Sequence, residues 1–365
     1  MIKRVKSKHE LKQFIYFKEW LYKDEVHFVP PLYYVLTKEL KREVLSTNNY
    51  VALLDIEDDK VLGRILYTID DNKMKNAQVG YFSYFDFVDD NNVSKRLLDA
   101  MVSDLKSKGI QYVEGAFTPY DPDTRRGVLV KGFDDDPSIF ASYHLPYYKE
   151  HFELLGFNKV IDTVALNVDV NSKQEKKLRV LSKYFSRHND VRVDYLEFKE
   201  MTRDIEDIHQ VLSAADHDSI YQETPSIDMI KSVAGQLRLF VDPKLVLIAR
   251  ENETNRPIGF CFALPDYHQV FKKLNGRIRP LRFMLAKRRI NRVRGFMQYV
   301  IPEYQGSGLI GKMYYQMFEV FKTMNITKFT AGTMVEDNHK PIDLIKKFGG
   351  EVTQVYRIYG KDIKL

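Results

Sequence analysis

The chain has 365 residues, more than one hydrophobic core usually serves, so two domains are expected. Its 44% hydrophobic and 13% aromatic content exclude global disorder, and a formal charge of +6 is too mild to mark a nucleic-acid binder by itself. The single cysteine, Cys261, excludes an intramolecular disulfide and a cysteine-based metal cluster, and it fits a reducing, cytoplasmic setting.

The first residues carry charges without an apolar core behind them, so no secretory signal is expected. No stretch approaches the roughly 18 apolar residues of a transmembrane helix. Residues 50–56 and 61–69 read as hairpin strands, and 79–88 as a strong strand. A helix follows over 93–106, where Leu97, Leu98, Met101, Val102 and Leu105 form one stripe. Residues 112–117 read as a strand, 146–155 as a short helix closed by Gly156, and 160–168 as a final strand. The polar segment 171–187 is a linker or a first helix. A strand at 191–198, a helix at 204–214 and a hairpin of 244–250 with 258–264 come next.

Between residues 267 and 302 no acidic residue occurs, while Lys272, Lys273, Arg277, Arg279, Arg282, Lys287, Arg288, Arg289, Arg292 and Arg294 are basic. A solvated basic face is the ordinary reading of such a run. The functional reading is an electrostatic funnel for coenzyme phosphates, an anionic substrate, tRNA or an anionic membrane surface. No recognised nucleic-acid module accompanies it.

Beyond it, apolar and aromatic residues from Phe296 to Ile301 predict a buried strand that Pro302 stops by removing a backbone donor. Gly306 and Gly308 let the chain curl, and Leu309, Met313, Met317 and Phe321 at four-residue spacing predict a helix with one anchored face. Strand, loop and helix N-terminus in succession make an anion cradle. The loop lacks the Lys-Ser/Thr pair of a nucleotide-triphosphate loop and the GxGxxG of a dinucleotide site. Residues 326–333 read as a strand, Asn338 precedes a short helix over 341–348 closed by Gly349 and Gly350, and 352–359 as a last strand.

Val300, Pro302, Gln305 and Gly308 resemble the acyl-CoA signature of the GNAT N-acyltransferases, written VxPxxQ/RxxGxG/A, with Ile310 standing where that pattern has Gly or Ala. The resemblance covers residues 190–365 well and 1–170 by pattern. It implies an α/β (α+β) fold of two GNAT-like domains, 1–170 and 190–365, joined through 171–189 and with a basic insertion at 267–294. Each would be a mixed, mostly antiparallel sheet flanked by helices. In that family the motif strand and its neighbour splay apart and the pantetheine arm lies between them. By resemblance, Val300, Ile301, Gln305, Gly306, Ser307, Gly308, Leu309, Ile310 and Asn338 would bind acetyl-CoA or another acyl-CoA, and the Val300 N–H would polarise the thioester carbonyl. The first half places Asp89, Asp90, Asn91 and Asn92 where the second has its glycine loop, and carboxylates there repel a pyrophosphate. Only the C-terminal copy is therefore expected to bind the coenzyme.

The implied activity is direct acyl transfer to a primary amine of a small molecule or amino acid. Glu223 is the candidate base, with His217, His268 and Glu336 as further candidates. Many family members use a Tyr seven residues after the Asn as thiolate proton donor; here Ile345 stands there, with Tyr304, Tyr314 and Tyr315 nearby in sequence. No His/Asp/Glu cluster has metal-ligand spacing, so no metal is predicted. Two other classes share the pattern: a Fem-type aminoacyl-tRNA-dependent transferase, and a CoA-sensing module without catalysis. A monomer and a homodimer are both compatible with the sequence.

Overall fold

The structure is a computed structural model that describes residues 1–72, 75–117, 127–214 and 225–363. In chain order the elements are β1 (Ile2–Arg4), α1 (Lys8–Leu21), α2 (Tyr33–Leu40), β2 (Val51–Glu57), β3 (Lys60–Asn72), β4 (Ala77–Phe87), α3 (Asn91–Ser107), β5 (Tyr112–Gly115) and β6 (Val128–Lys131). There follow α4 (Tyr148–Leu154), β7 (Asn158–Asp169), α5 (Ser172–His188), β8 (Val191–Tyr195), α6 (Met201–Ala214), α7 (Ile227–Leu237), β9 (Val246–Glu251) and β10 (Pro257–Pro265). The chain ends with α8 (His268–Lys273), α9 (Pro280–Lys287), β11 (Arg292–Val300), α10 (Leu309–Thr323), β12 (Lys328–Val335), α11 (His339–Lys347) and β13 (Glu351–Asp362).

Two compact units divide the chain. The first holds residues 1–164, 268–287 and 353–365, and the second holds 165–267 and 288–352. In the first, β1, β2, β3 and β4 pair antiparallel in sequence order, β4 pairs β5 in parallel, and β13 pairs antiparallel with β5 and β6. In the second, β8, β9, β10 and β11 pair antiparallel and β11 pairs β12 in parallel. Each unit is thus a mixed, mostly antiparallel sheet flanked by helices, as the sequence predicts.

The parallel pair described in each unit, β4 with β5 and β11 with β12, needs a crossover, and a helix supplies it. In the first unit that helix is α3, whose Val93, Leu97, Leu98, Met101 and Leu105 are buried. The Asp90 carboxylate caps it by accepting the Asn92 amide at 2.7 Å. In the second unit it is α10, with Leu309, Met313, Met317 and Phe321 all buried. Both copies also bulge in the strand before the crossover. On β4 the register slips opposite Arg64 and Leu66, and on β11 it slips opposite Phe262 and Ala263, which leaves Phe296 as the extra residue.

The segment 171–187 is α5 rather than an open linker. Asn171 accepts the amides of Lys173 and Gln174 at its start, and Leu178 and Phe185 are buried. The predicted helix over 204–214 begins earlier, at Met201. Asp204 and Asp207 on it are buried because both bind the buried Arg250 guanidinium of β9, at 2.7 and 2.5 Å. The basic stretch contains α8 and α9, which charge patterning alone does not reveal.

Candidate active site

The site begins where two parallel strands stop pairing. β11 and β12 are in register only from Arg292/Lys328 to Gly295/Ala331, although the strands run on to Val300 and Val335. Past Gly295 one edge of β11 therefore faces an opening. Ladder alternation tells which groups face it. The Ile301 amide donates to the Ile258 carbonyl at 3.0 Å, on the β10 side. Val300, one residue earlier and opposite Gly259, must direct its N–H and C=O to the other side. The Val300 carbonyl accepts Gln305 Nε2 at 3.3 Å. Ile301, expected beside Val300 as a coenzyme contact, has its N–H occupied by β10; of the two, only Val300 turns its N–H toward the opening.

The loop that follows is built from its own backbone. Pro302–Tyr304 form a short 3-10 turn, Gly306 has φ +74°, and Gly308 caps α10 at φ +100°. The Ser307 hydroxyl donates to the Tyr304 carbonyl at 2.6 Å and accepts the Leu309 amide at 3.3 Å. Among the described residues, the N–H groups of Gly306, Gly308, Ile310 and Gly311 have no partner within the chain. Unpartnered N–H groups at a helix N-terminus carry partial positive charge and fit a pyrophosphate. Leu309 is buried in the core beneath them and Ile310 packs partly buried against the same core, so the Ile310 side chain does not take up the space outside the loop. Gly311 holds the close approach of α5: a Cβ there would meet the Leu181 Cβ at 2.8 Å.

The remaining candidates are spread unevenly. Asn338 is exposed and precedes α11, its side chain making no capping bond and its amide donating to Val335 at 2.9 Å. Ile345 is buried and lines a small cavity of about 50 Å³ with Leu178, Tyr314, Met317, Phe329 and Phe348. The residue in the position of the family's proton donor is thus turned into apolar space. Tyr304 donates to Glu251 Oε1 at 3.1 Å, Tyr314 donates to Gln298 Oε1, and Tyr315 packs against Leu178, Phe318 and Phe348. Burial, chiefly, raises the Tyr314 phenol well above its ordinary value. Glu223 and His217 lie outside the described residues. His268 belongs to the first unit, where its Nδ1 lies 3.0 Å from the Pro137 carbonyl. Glu336 is half-buried just after β12. Cys261 is buried against α10, its thiol 3.7 Å from the Met313 sulfur, and burial pushes its pKa up.

The matching place in the first unit is closed. Val88 donates to the Leu62 carbonyl at 2.9 Å as Ile301 does to Ile258, so Phe87 corresponds to Val300. The Phe87 amide donates to the Tyr148 hydroxyl at 3.3 Å, and the Phe87 carbonyl accepts the Tyr147 hydroxyl at 2.5 Å. Phe82, Phe85, Phe87 and Phe152 pack around them with ring centroids 4.8–6.0 Å apart. Asp89, at the start of the acidic loop, lies 2.8 Å from His151 Nε2. Sequence reading identified the acidic loop and missed the two tyrosines, although adjacent Tyr147 and Tyr148 at the start of the short helix were the available signal.

Comparison with known proteins agrees with this geometry. The Acetyltransferase (GNAT) family pattern matches residues 205–350. Protein YghO of Escherichia coli (strain K12) is 24% identical over 100% of this chain and 95% of its own length. The bacterial ceramide synthase of Caulobacter vibrioides is 22% identical over 98% of this chain and 96% of its own. Among solved structures, a tandem GNAT protein from the clavulanic acid biosynthesis pathway superposes with a TM-score of 0.60 at 10% identity, covering 100% of this chain and 99% of that one. The GCN5-related glucosamine N-acetyltransferase region of a fungal multi-domain GH3 β-N-acetylglucosaminidase gives 0.62 at 13% identity; it covers 99% of this chain, which spans 38% of that longer protein. With its strand opening, glycine loop and family pattern in one place, the chain carries a GNAT-family domain in its C-terminal region, within a fold shared with tandem GNAT proteins.

Proposed function

We propose that this protein is an acyl-CoA-dependent N-acyltransferase with one working site, in the C-terminal unit, acting on a primary amine of a small molecule or amino acid. The observation that carries this reading is the Val300 N–H directed into the unpaired gap between β11 and β12, beside unpartnered N–H groups at Gly306, Gly308, Ile310 and Gly311. Pantetheine amides need backbone partners along a strand edge, and a pyrophosphate needs a helix N-terminus. The chain offers both within a dozen residues. Bound acyl-CoA supplies an activated thioester; the Val300 N–H is placed to donate to an oxygen that gains charge there. Among the relatives, the bacterial ceramide synthase is named for making an N-acylated amine, in agreement with amide formation.

Acetyl-CoA titrated into the protein in a calorimeter tests the reading. Wild type binds, and Gly308→Glu loses detectable binding, because a carboxylate then stands among the N–H groups at φ +100°. Undiminished binding by that variant, or none by wild type, overturns the proposal. A CoA-binding module without turnover is the second reading, favoured by Ile345 facing the apolar cavity. Thiol release with a panel of amines separates the two, since binding without release on any amine supports the module.

A further inference from the structure

Helix α9 presents its apolar side outward. None of its residues is buried. Leu281, Met284 and Leu285 are 79%, 61% and 63% exposed, and Ile278 just before the helix is 54% exposed. Their spacing of three and four residues puts all four on one stripe. Phe283 and Ala286, on the opposite side, are the half-buried residues of α9, and the rest are exposed. A helix that merely covered the sheet would turn its leucines inward.

Cations border the stripe. Arg279 and Arg282 are exposed and make no ion pair among the described residues, while Arg277 lies 3.9 Å from Glu19. Three other basic residues of this stretch serve the fold. Lys272 binds Asp136 at 2.6 Å, Arg292 binds Asp266 at 2.5 Å, and Arg294 donates to the Gly332 carbonyl at 2.9 Å. The helix is held in place at its base, where the Tyr33 amide donates to the Gly276 carbonyl at 3.2 Å. A Cβ at Gly276 would lie 2.2 Å from the Pro31 carbonyl oxygen. Adjacent in the chain to these anchor points are Trp20 and Tyr34, 52% and 71% exposed. Amphipathic aromatic rings of this kind favour the headgroup level of a bilayer.

We propose that α9 and the residues before it dock this protein on an anionic membrane surface, with Ile278, Leu281, Met284 and Leu285 entering the headgroup boundary and Arg279 and Arg282 meeting lipid phosphates. The choice of occupant rests on charge and shape together. A protein groove would leave the arginines without acids of this chain, and a nucleic acid would leave four large apolar side chains in water. An anionic bilayer satisfies both. No helix among the described residues is long and apolar enough to cross a membrane, so the association is peripheral.

Co-sedimentation of the full chain with vesicles of phosphatidylcholine, alone or mixed with phosphatidylglycerol, tests this independently of acyl-CoA binding. Wild type is expected to bind the mixed vesicles and not the neutral ones. Arg279→Gln with Arg282→Gln lowers binding by roughly 25-fold, at about fivefold per cation. Leu281→Ser with Met284→Ser and Leu285→Ser lowers it by at least about tenfold. Since α9 has no buried residue, both variants keep the wild-type melting temperature. Failure of wild type to bind, or unchanged binding by both variants, overturns the proposal. So does a dimer in sedimentation velocity that the serine variant abolishes without any vesicle binding, or tRNA binding that only the glutamine variant loses.

Discussion

His144 shows how a single buried group shapes the behaviour of the first unit. Its Nδ1 accepts the Leu129 amide at 3.1 Å, and burial, followed by the neighbouring Lys18 ammonium, lowers its pKa to about 3. An exposed histidine titrates near 6.5, so between about pH 6.5 and 3 the unfolded chain binds a proton that the folded chain excludes. Stability is complete above about pH 6.5 and declines as the pH falls toward 3. Melting temperatures measured from about pH 7 to about pH 5 should therefore drop in wild type, and less in His144→Gln; equal slopes would contradict the assignment. Nearby, burial alone would raise the Asp86 carboxyl, but Lys18 and Arg64 reverse this and hold it well below the usual range. Single residues also show what was legible in advance. Gly306 and Gly308 were readable as loop-formers because only glycine adopts their positive φ cheaply. The role of Tyr147 and Tyr148 was not, because a hydroxyl reaching a backbone group 60 residues away leaves no periodic signal.

At the level of elements, the packing of α5 on α10 decides whether the loop keeps its shape. A Cβ at Gly311 would press on Leu181 at 2.8 Å, while Leu181 itself is 37% exposed. Gly311→Ala gains about 1 kcal/mol of helix propensity but incurs about 1–3 kcal/mol of overpacking, so a net loss of up to about 2 kcal/mol is expected. In a Leu181→Gly background, which removes the Cβ that the new methyl would meet, the same change should stabilise. Urea denaturation of the four proteins measures the coupling, and additive effects would show that the two helices do not constrain each other. α10 itself was readable from four-residue spacing, since its stripe faces one core. α9 was not, because its apolar residues face away from the core and it is flanked by cations on both sides. The π-helical turn at Lys41–Ser46 and the short β6 likewise lack a period long enough to detect.

Across the whole molecule, two copies of one plan have diverged at one point. The second leaves Val300 facing an open strand edge, and the first closes the corresponding edge at Phe87 with Tyr147, Tyr148 and a packed aromatic cluster. Calorimetry should therefore find one acetyl-CoA per chain. Replacing Asp89, Asp90, Asn91 and Asn92 with the Gln305–Gly308 sequence should not create a second site, because the gap beside β4 stays filled. A stoichiometry of two, in wild type or in that graft, would remove the argument. By itself the sequence determined the repeat, the order of strands and crossover helices, and the glycine loop, because each depends on local periodicity, backbone freedom or helix-end chemistry. The tertiary structure alone decided which backbone groups face a gap, that Ile345 turns into apolar space and that α9 shows its leucines to solvent. Those outcomes depend on strand register and on which face of an element meets a neighbour, and neither is written in any short stretch of chain.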